Sequence, residues 1–251
     1  MGVSTTFDLY PLRFRFQTSK LRDFSANTLR GAFGSALKKT DADAYARFFA
    51  PKRAAGAGPS GLTDPPRPFV FRLLGPLDVG MNLFLTREPA VERFTRVMAE
   101  LGTLNSVAGT EPLRLSLCVP EPQVCRLRVH FLTPTELKGA EQPEFGVLLV
   151  RIRDRISTLR ELYGDGPLAI DFKGFGERAS RVAVTRCELV HVAAARTSRG
   201  TGQSHSLGGF TGVAEYQGDL AEFLPYLEIA RWTGVGRQTV WGKGEIAYET
   251  F

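Results

Sequence analysis

Glycines and cations alternate in residues 234–244, GVGRQTVWGKG, in a pattern suited to holding phosphate. Gly234, Gly236, Gly242 and Gly244 would let backbone N–H groups approach phosphate oxygens closely, and Arg237 and Lys243 would neutralise them. Dinucleotide and P-loop sites run strand, glycine loop, helix, whereas this loop follows a helical pattern and enters a strand-like one. The order fits neither motif. A glycine-lined bulge where two backbones approach is the other reading of the same spacing. A second basic stretch, residues 196–212, RTSRGTGQSHSLGGFTG, joins two strand-like runs through a loop longer than usual. Arg196, Arg199, Gln203 and His205 there could touch phosphates or splayed bases, and a solvated hairpin tip is the alternative. Of the other histidines, His130 shares a strand face with Arg128, and His191 interrupts an apolar strand where a satisfied side chain is expected.

The chain as a whole is basic, with a net charge of +6 and a pI of about 9.4 over 251 residues. A positive field concentrates polyanions, so an anionic partner is plausible. Acids are missing from the windows between Asp23 and Asp41, Asp43 and Asp64, Glu188 and Glu215, and Glu228 and Glu245, each of which holds Lys or Arg. Cys118, Cys125 and Cys187 match neither a disulfide framework nor a zinc spacing. No apolar run is long enough to cross a membrane, and the expectation is a cytoplasmic protein without cofactor or metal.

The elements that must carry these loops repeat a pattern. Residues 7–16 alternate so that Leu12, Phe14 and Phe16 share a face, and Ser25 caps a predicted helix through Lys38 with Leu29, Phe33 and Leu37 on one side. Strands at 69–74 and 77–86, a helix at 88–101 and a strand at 112–119 follow. A strand at 125–133, a helix from Phe145 to Leu162, strands near 182–194 and 207–216, a helix capped by Asp219 and Glu222, and a final strand over 239–249 then restate the order. The expected fold class is α+β: tandem βαββαβ units, 1–122 and 123–251, each an antiparallel sheet with helices on one face.

Three stretches carry a family resemblance: residues 209–249 around the glycine loop, LRVHFLTPTELKG at 127–139, and LRGAFGSALKK at 29–39. They resemble the CRISPR-associated repeat-RNA endoribonucleases of the RAMP superfamily, the match being most specific at the glycine loop. The resemblance implies two ferredoxin-like halves that bind repeat RNA and cut one phosphodiester without metal. It implies partners in CRISPR repeat RNA and other subunits of CRISPR-associated complexes, with a homodimer left open and no membrane. By position it assigns RNA binding to the four loop glycines, Arg237 and Lys243, and to the hairpin Arg196–Gly208; Arg231, just before the loop, is a further RNA-binding candidate.

Metal-free cleavage needs a base for the attacking 2′-hydroxyl, an acid for the departing 5′-oxygen and cations for the charged transition state. Many family members place a histidine after the first helix; here that region offers Lys38, Lys39, Tyr45, Lys52 and Arg53. Tyr45, Lys38, Lys39, Lys52 and, from the basic loop, His205 are therefore the catalytic candidates. Against that, Lys38 and Lys39 also suit a helix C-terminus, and Tyr45 could simply pack with Phe48 and Phe49. A non-catalytic RNA-binding subunit, or a small-molecule enzyme with a nucleotide in the glycine loop, are the competing functions.

Overall fold

The structure, a computed structural model, describes residues 6–21, 25–51, 65–86, 90–119, 123–137, 139–140, 142–193, 195–197, 204–206 and 208–251. The chain divides into two compact units. The first comprises Met1–Ser116, Asp154–Leu168 and Val240–Gly242; the second comprises Leu117–Arg153, Ala169–Thr239 and Lys243–Phe251.

In the first unit, β1 (Thr6–Ser19) leads to α1 (Ala26–Thr40), whose Ser25 cap accepts a hydrogen bond from the Thr28 amide as the sequence predicts. A single turn, α2 (Ala42–Ala44), then runs into a π-helical turn at Tyr45–Phe49, closed by the Ala50 amide on the Tyr45 carbonyl at 2.9 Å. Then come β2 (Phe69–Gly75), β3 (Asp78–Phe84), α3 (Ala90–Ala99), β4 (Gly102–Ala108) and β5 (Leu113–Ser116). The strands lie in the order β2-β3-β1-β4, with β5 on the opening residues of β1. Phe33 of α1 reaches Phe69, Phe71 and Phe94 at ring separations of 5.5, 5.5 and 5.3 Å. This cluster of fully buried rings is the centre of the unit's core.

The closing strand of this half is β4, where the sequence reading put it at 112–119. β4 has only Leu104 and Val107 as large apolar residues and is largely exposed, so its pairing with β1 rests on backbone hydrogen bonds that side-chain periodicity does not report.

The second unit holds β6 (Arg126–Thr135), α4 (Phe145–Tyr163), whose last turns belong to the first unit, and α5 (Phe172–Ala179). β7 (Ala183–Val192) and β10 (Gly209–Gln217) flank the short hairpin β8 (Ala195–Thr197) and β9 (Ser204–Ser206). α6 (Leu224–Thr233) and β11 (Ile246–Thr250) complete it, in the sheet order β11-β6-β10-β7. Both sheets thus place the first and third strands of the half at the centre, which is the ferredoxin-like arrangement.

Three details depart from the sequence reading. α5 is an added helix that the sequence reading does not contain: Asp171 caps it and Phe175 packs on Phe223 and Tyr226 at 5.1 and 4.8 Å. Asp219 and Glu222 do not cap α6, because a 3₁₀ turn at Ala221–Phe223 precedes it and Glu222 instead receives two hydrogen bonds from Arg178. The final strand starts at Ile246, since Thr239–Trp241 turn as 3₁₀ helix within the glycine loop.

Candidate nucleic-acid interface

The glycine loop begins where α6 ends, with Gly234 at φ 71° and its amide on the Ala230 carbonyl at 2.8 Å. It folds back on itself: the Val235 amide donates to the Gly244 carbonyl at 2.8 Å, the Gly244 amide to Pro134 at 3.1 Å, and the Arg237 amide to Glu136 at 3.1 Å. A Cβ on Gly244 would lie 1.9 Å from the Val235 carbonyl oxygen, and one on Gly236 would lie 2.4 Å from that of Glu136. Both glycines therefore let two backbones cross, the bulge reading of the motif. Their conformation, with φ of 70° and 79°, also suits only glycine without strain.

The loop's two cations differ. Arg237 keeps 62% of its side chain exposed while donating to Glu136 at 2.8 Å. Lys243 is buried at 5% exposure, donating to the Gly208 carbonyl at 2.6 Å and the Gln238 side chain at 3.0 Å, with Glu136 at 3.5 Å. Burial lowers its pKa, and the Glu136 carboxylate acts in the opposite direction. Contrary to the expected phosphate contact, Lys243 spends its donors inside the unit, where it fastens the loop to the chain entering β10. The acid that the local sequence lacks arrives from the end of β6, about a hundred positions earlier. Arg231, on α6, likewise pairs with Glu228 at 2.8 Å.

Two of the catalytic candidates meet in the first unit. The Lys38 ammonium sits 5.8 Å from the Tyr45 ring centroid, and Tyr45 stacks on Phe49 at 5.1 Å and 22°. The Arg30 guanidinium lies 4.8 Å from the Phe49 centroid and 5.3 Å from that of Trp241, a residue of the glycine loop. The result is a file of rings and cations, Lys38, Tyr45, Phe49, Arg30 and Trp241, with Tyr45 and Phe49 stacked at its middle. Arg30 and Trp241 escaped the sequence reading, although both lie in stretches that it quoted. The π turn rotates Tyr45 onto Phe49; such turns recur at functional sites. Phe49 can cross α1 only because Gly34 has no side chain, a Cβ there falling 2.3 Å from the ring.

Lys39 is exposed at the end of α1. Lys52, Arg53, Arg199 and Gln203 lie outside the described residues. Arg196 and His205 are cross-strand partners in the β8–β9 hairpin. His130 stands beside Arg128 against Glu249, at 3.3 Å, and Arg128 also pairs with Glu215 at 2.7 Å. His191 is exposed, with its ring edge to face with Phe210 at 6.4 Å. Among the described residues no cluster of His, Cys, Asp and Glu is placed to hold a metal ion, and no helix is long and apolar enough to cross a membrane.

Fold and site together define an α+β protein of two ferredoxin-like halves with a glycine loop before its last strand. Residues 129–246 match the family described as CRISPR-associated endoribonuclease Cas6. The structure is similar to Thermus thermophilus Cas6, at 17% identity and a TM-score of 0.59 over 99% of this chain and 100% of that one. It is similar to a Cas6 product complex, at 19% identity and a TM-score of 0.61 over 96% and 99% of the two chains. A Cas6 substrate-mimic complex aligns at 17% identity and a TM-score of 0.55 over 98% and 100%. Such identities speak for the fold. Sequence comparison with curated proteins finds no match.

Proposed function

We propose that the protein binds CRISPR repeat RNA and cuts it once, by attack of a 2′-hydroxyl on the adjacent phosphorus, to leave a 2′,3′-cyclic phosphate and a free 5′-hydroxyl. The observation that carries this reading is the match of residues 129–246, which contain the glycine loop and the hairpin, to an endoribonuclease family. The tandem ferredoxin-like fold supports it independently. In this reading the domains 1–122 and 123–251 divide the work. The first supplies Tyr45 as the base, with Lys38, Arg30 and, from the same region, Lys39 and Lys52 to hold the phosphorane charge. The second grips the strand through Arg237, Arg231 and the hairpin bearing Arg196, Arg199, Gln203 and His205. Gly234, Gly236, Gly242, Gly244 and the buried Lys243 hold the loop in shape. The protein works in the cytoplasm, where its product is handed to other CRISPR-associated subunits.

A second reading, a non-catalytic RNA-binding subunit, is favoured by two observations: the first half has no histidine, and Tyr45 is packed on Phe49. Incubation of the purified protein with its repeat RNA in chelator separates the two. One cut with a cyclic phosphate end supports the nuclease, and binding without product supports the subunit. Tyr45→Phe is expected to leave affinity unchanged and slow cleavage by about 10²-fold or more; an unchanged rate removes Tyr45 as the base. Arg237→Ala should weaken binding and lower the salt slope by about one, whereas Lys243→Met should weaken binding with the slope retained, since Lys243 acts through the loop.

A further inference from the structure

Next to the glycine loop the second unit holds an open recess of about 410 Å³, walled by Thr135, Glu136, Leu137, His191 and Phe210. Its size falls within the roughly 300–1,000 Å³ of small-molecule sites. Three of the wall residues are cross-strand neighbours: Phe210 on β10 is in register with His191 on β7 and with Thr135 on β6. Phe210 is 2% exposed and locked edge to face against Phe131 at 5.0 Å, so it is a fixed wall. His191 is exposed and held at 75° to Phe210, an arrangement that leaves imidazole surface available to another planar group.

Glu136 joins this recess to the phosphate-gripping loop. Its carbonyl takes the Arg237 amide, and its carboxylate takes the Arg237 guanidinium at 2.8 Å while keeping 29% of the side chain exposed. A strand whose phosphate is neutralised at Arg237 thus has an aromatic-sided recess and a carboxylate acceptor beside it. Phosphate, planar ring and N–H donors occur together in a nucleotide. A single-stranded base also lies unstacked and free to enter such a site.

We infer that this recess is a nucleobase pocket, which takes one unpaired base of the bound RNA against His191, with Glu136 accepting from the N–H donors of the base edge. The inference rests on the RNA-binding reading above and adds to it a point of sequence recognition. His191 is a binding residue here, distant from any role as acid or base.

The test uses the full-length protein and a synthetic RNA of the repeat from its own genome's CRISPR array, together with a set of the same RNA in which one nucleotide at a time is abasic. Wild-type protein is expected to lose about tenfold in affinity at one abasic position. His191→Ala should show the same loss on intact RNA and no further loss at that position, with an unchanged melting temperature because the side chain is exposed. His191→Phe should restore binding. Equal affinity of wild type and His191→Ala for intact RNA overturns the pocket, as does a His191→Ala defect that adds equally to every abasic position. A wild-type protein that binds no repeat RNA overturns the RNA reading itself, and the pocket with it.

Discussion

The two units share a strand order and differ in what fills it. The first gathers Phe33, Phe48, Phe69, Phe71 and Phe94 into a fully buried cluster, and rings and cations continue outward from it through Phe49 to Tyr45 and Arg30. The second arranges charge across its sheet, where Arg128 bridges Glu215 and Glu249, and Arg186 reaches Glu188 and Glu215. The part of the glycine loop in this unit is held by main-chain contacts at Val235, Arg237 and Gly244 and by the side chains of Arg237 and Lys243. One topology therefore supports two kinds of local structure: a rigid aromatic mount with cations against its rings, and a close-fitting backbone loop.

The sharpest way to break that contrast is to remove a ring from the first core. Phe33→Ala is expected to cost about 3–5 kcal/mol, read as a large drop in the denaturant midpoint. If it costs less than 1 kcal/mol, the aromatic cluster is not what holds the unit. In the second unit Gly244→Ala should cost roughly 3 kcal/mol, since the added carbon collides with a carbonyl oxygen at a positive φ, and RNA binding should fall with it. Retained binding and stability would mean that the loop can reopen without loss.

Acid should act through the ion pairs. Arg128 holds Glu215 below its usual pKa of 4.5, His130 and Arg128 do the same for Glu249, and in the first unit Arg13 lowers Asp78. A depressed folded pKa means stability present above about pH 4.5 and lost as pH falls through the folded value. Melting temperature should therefore decline below that point, and Glu215→Gln should flatten the decline. The smallest effect is a gain: Gly31→Ala, on the exposed side of α1 with open space around it, should stabilise by about 0.5–1 kcal/mol in thermal melts.

Much of this was readable in order along the chain. Ser25 as a cap, the spacing of Leu29, Phe33 and Leu37, and the alternation in β1 report local geometry, because each depends on neighbours within a turn or two. The tandem architecture followed from that order. β4 was hidden because an exposed edge strand needs no apolar alternation, and α5 because its glycines are tolerated only by packing Phe175 against Phe223.

The amino-acid sequence by itself determined the two βαββαβ halves and the basic balance, since these rest on periodicity and composition, while the glycine loop carried its resemblance to a family in the residues themselves. Only the tertiary structure decided that Lys243 is buried while Arg237 is exposed, that Tyr45 stands in file with Arg30 and Trp241, and that His191 edges a recess. Those outcomes depend on contacts such as Glu136 with Arg237 and Phe49 across Gly34. Burial and pairing belong to residues that meet in space, and spacing along a chain carries no record of which ones do.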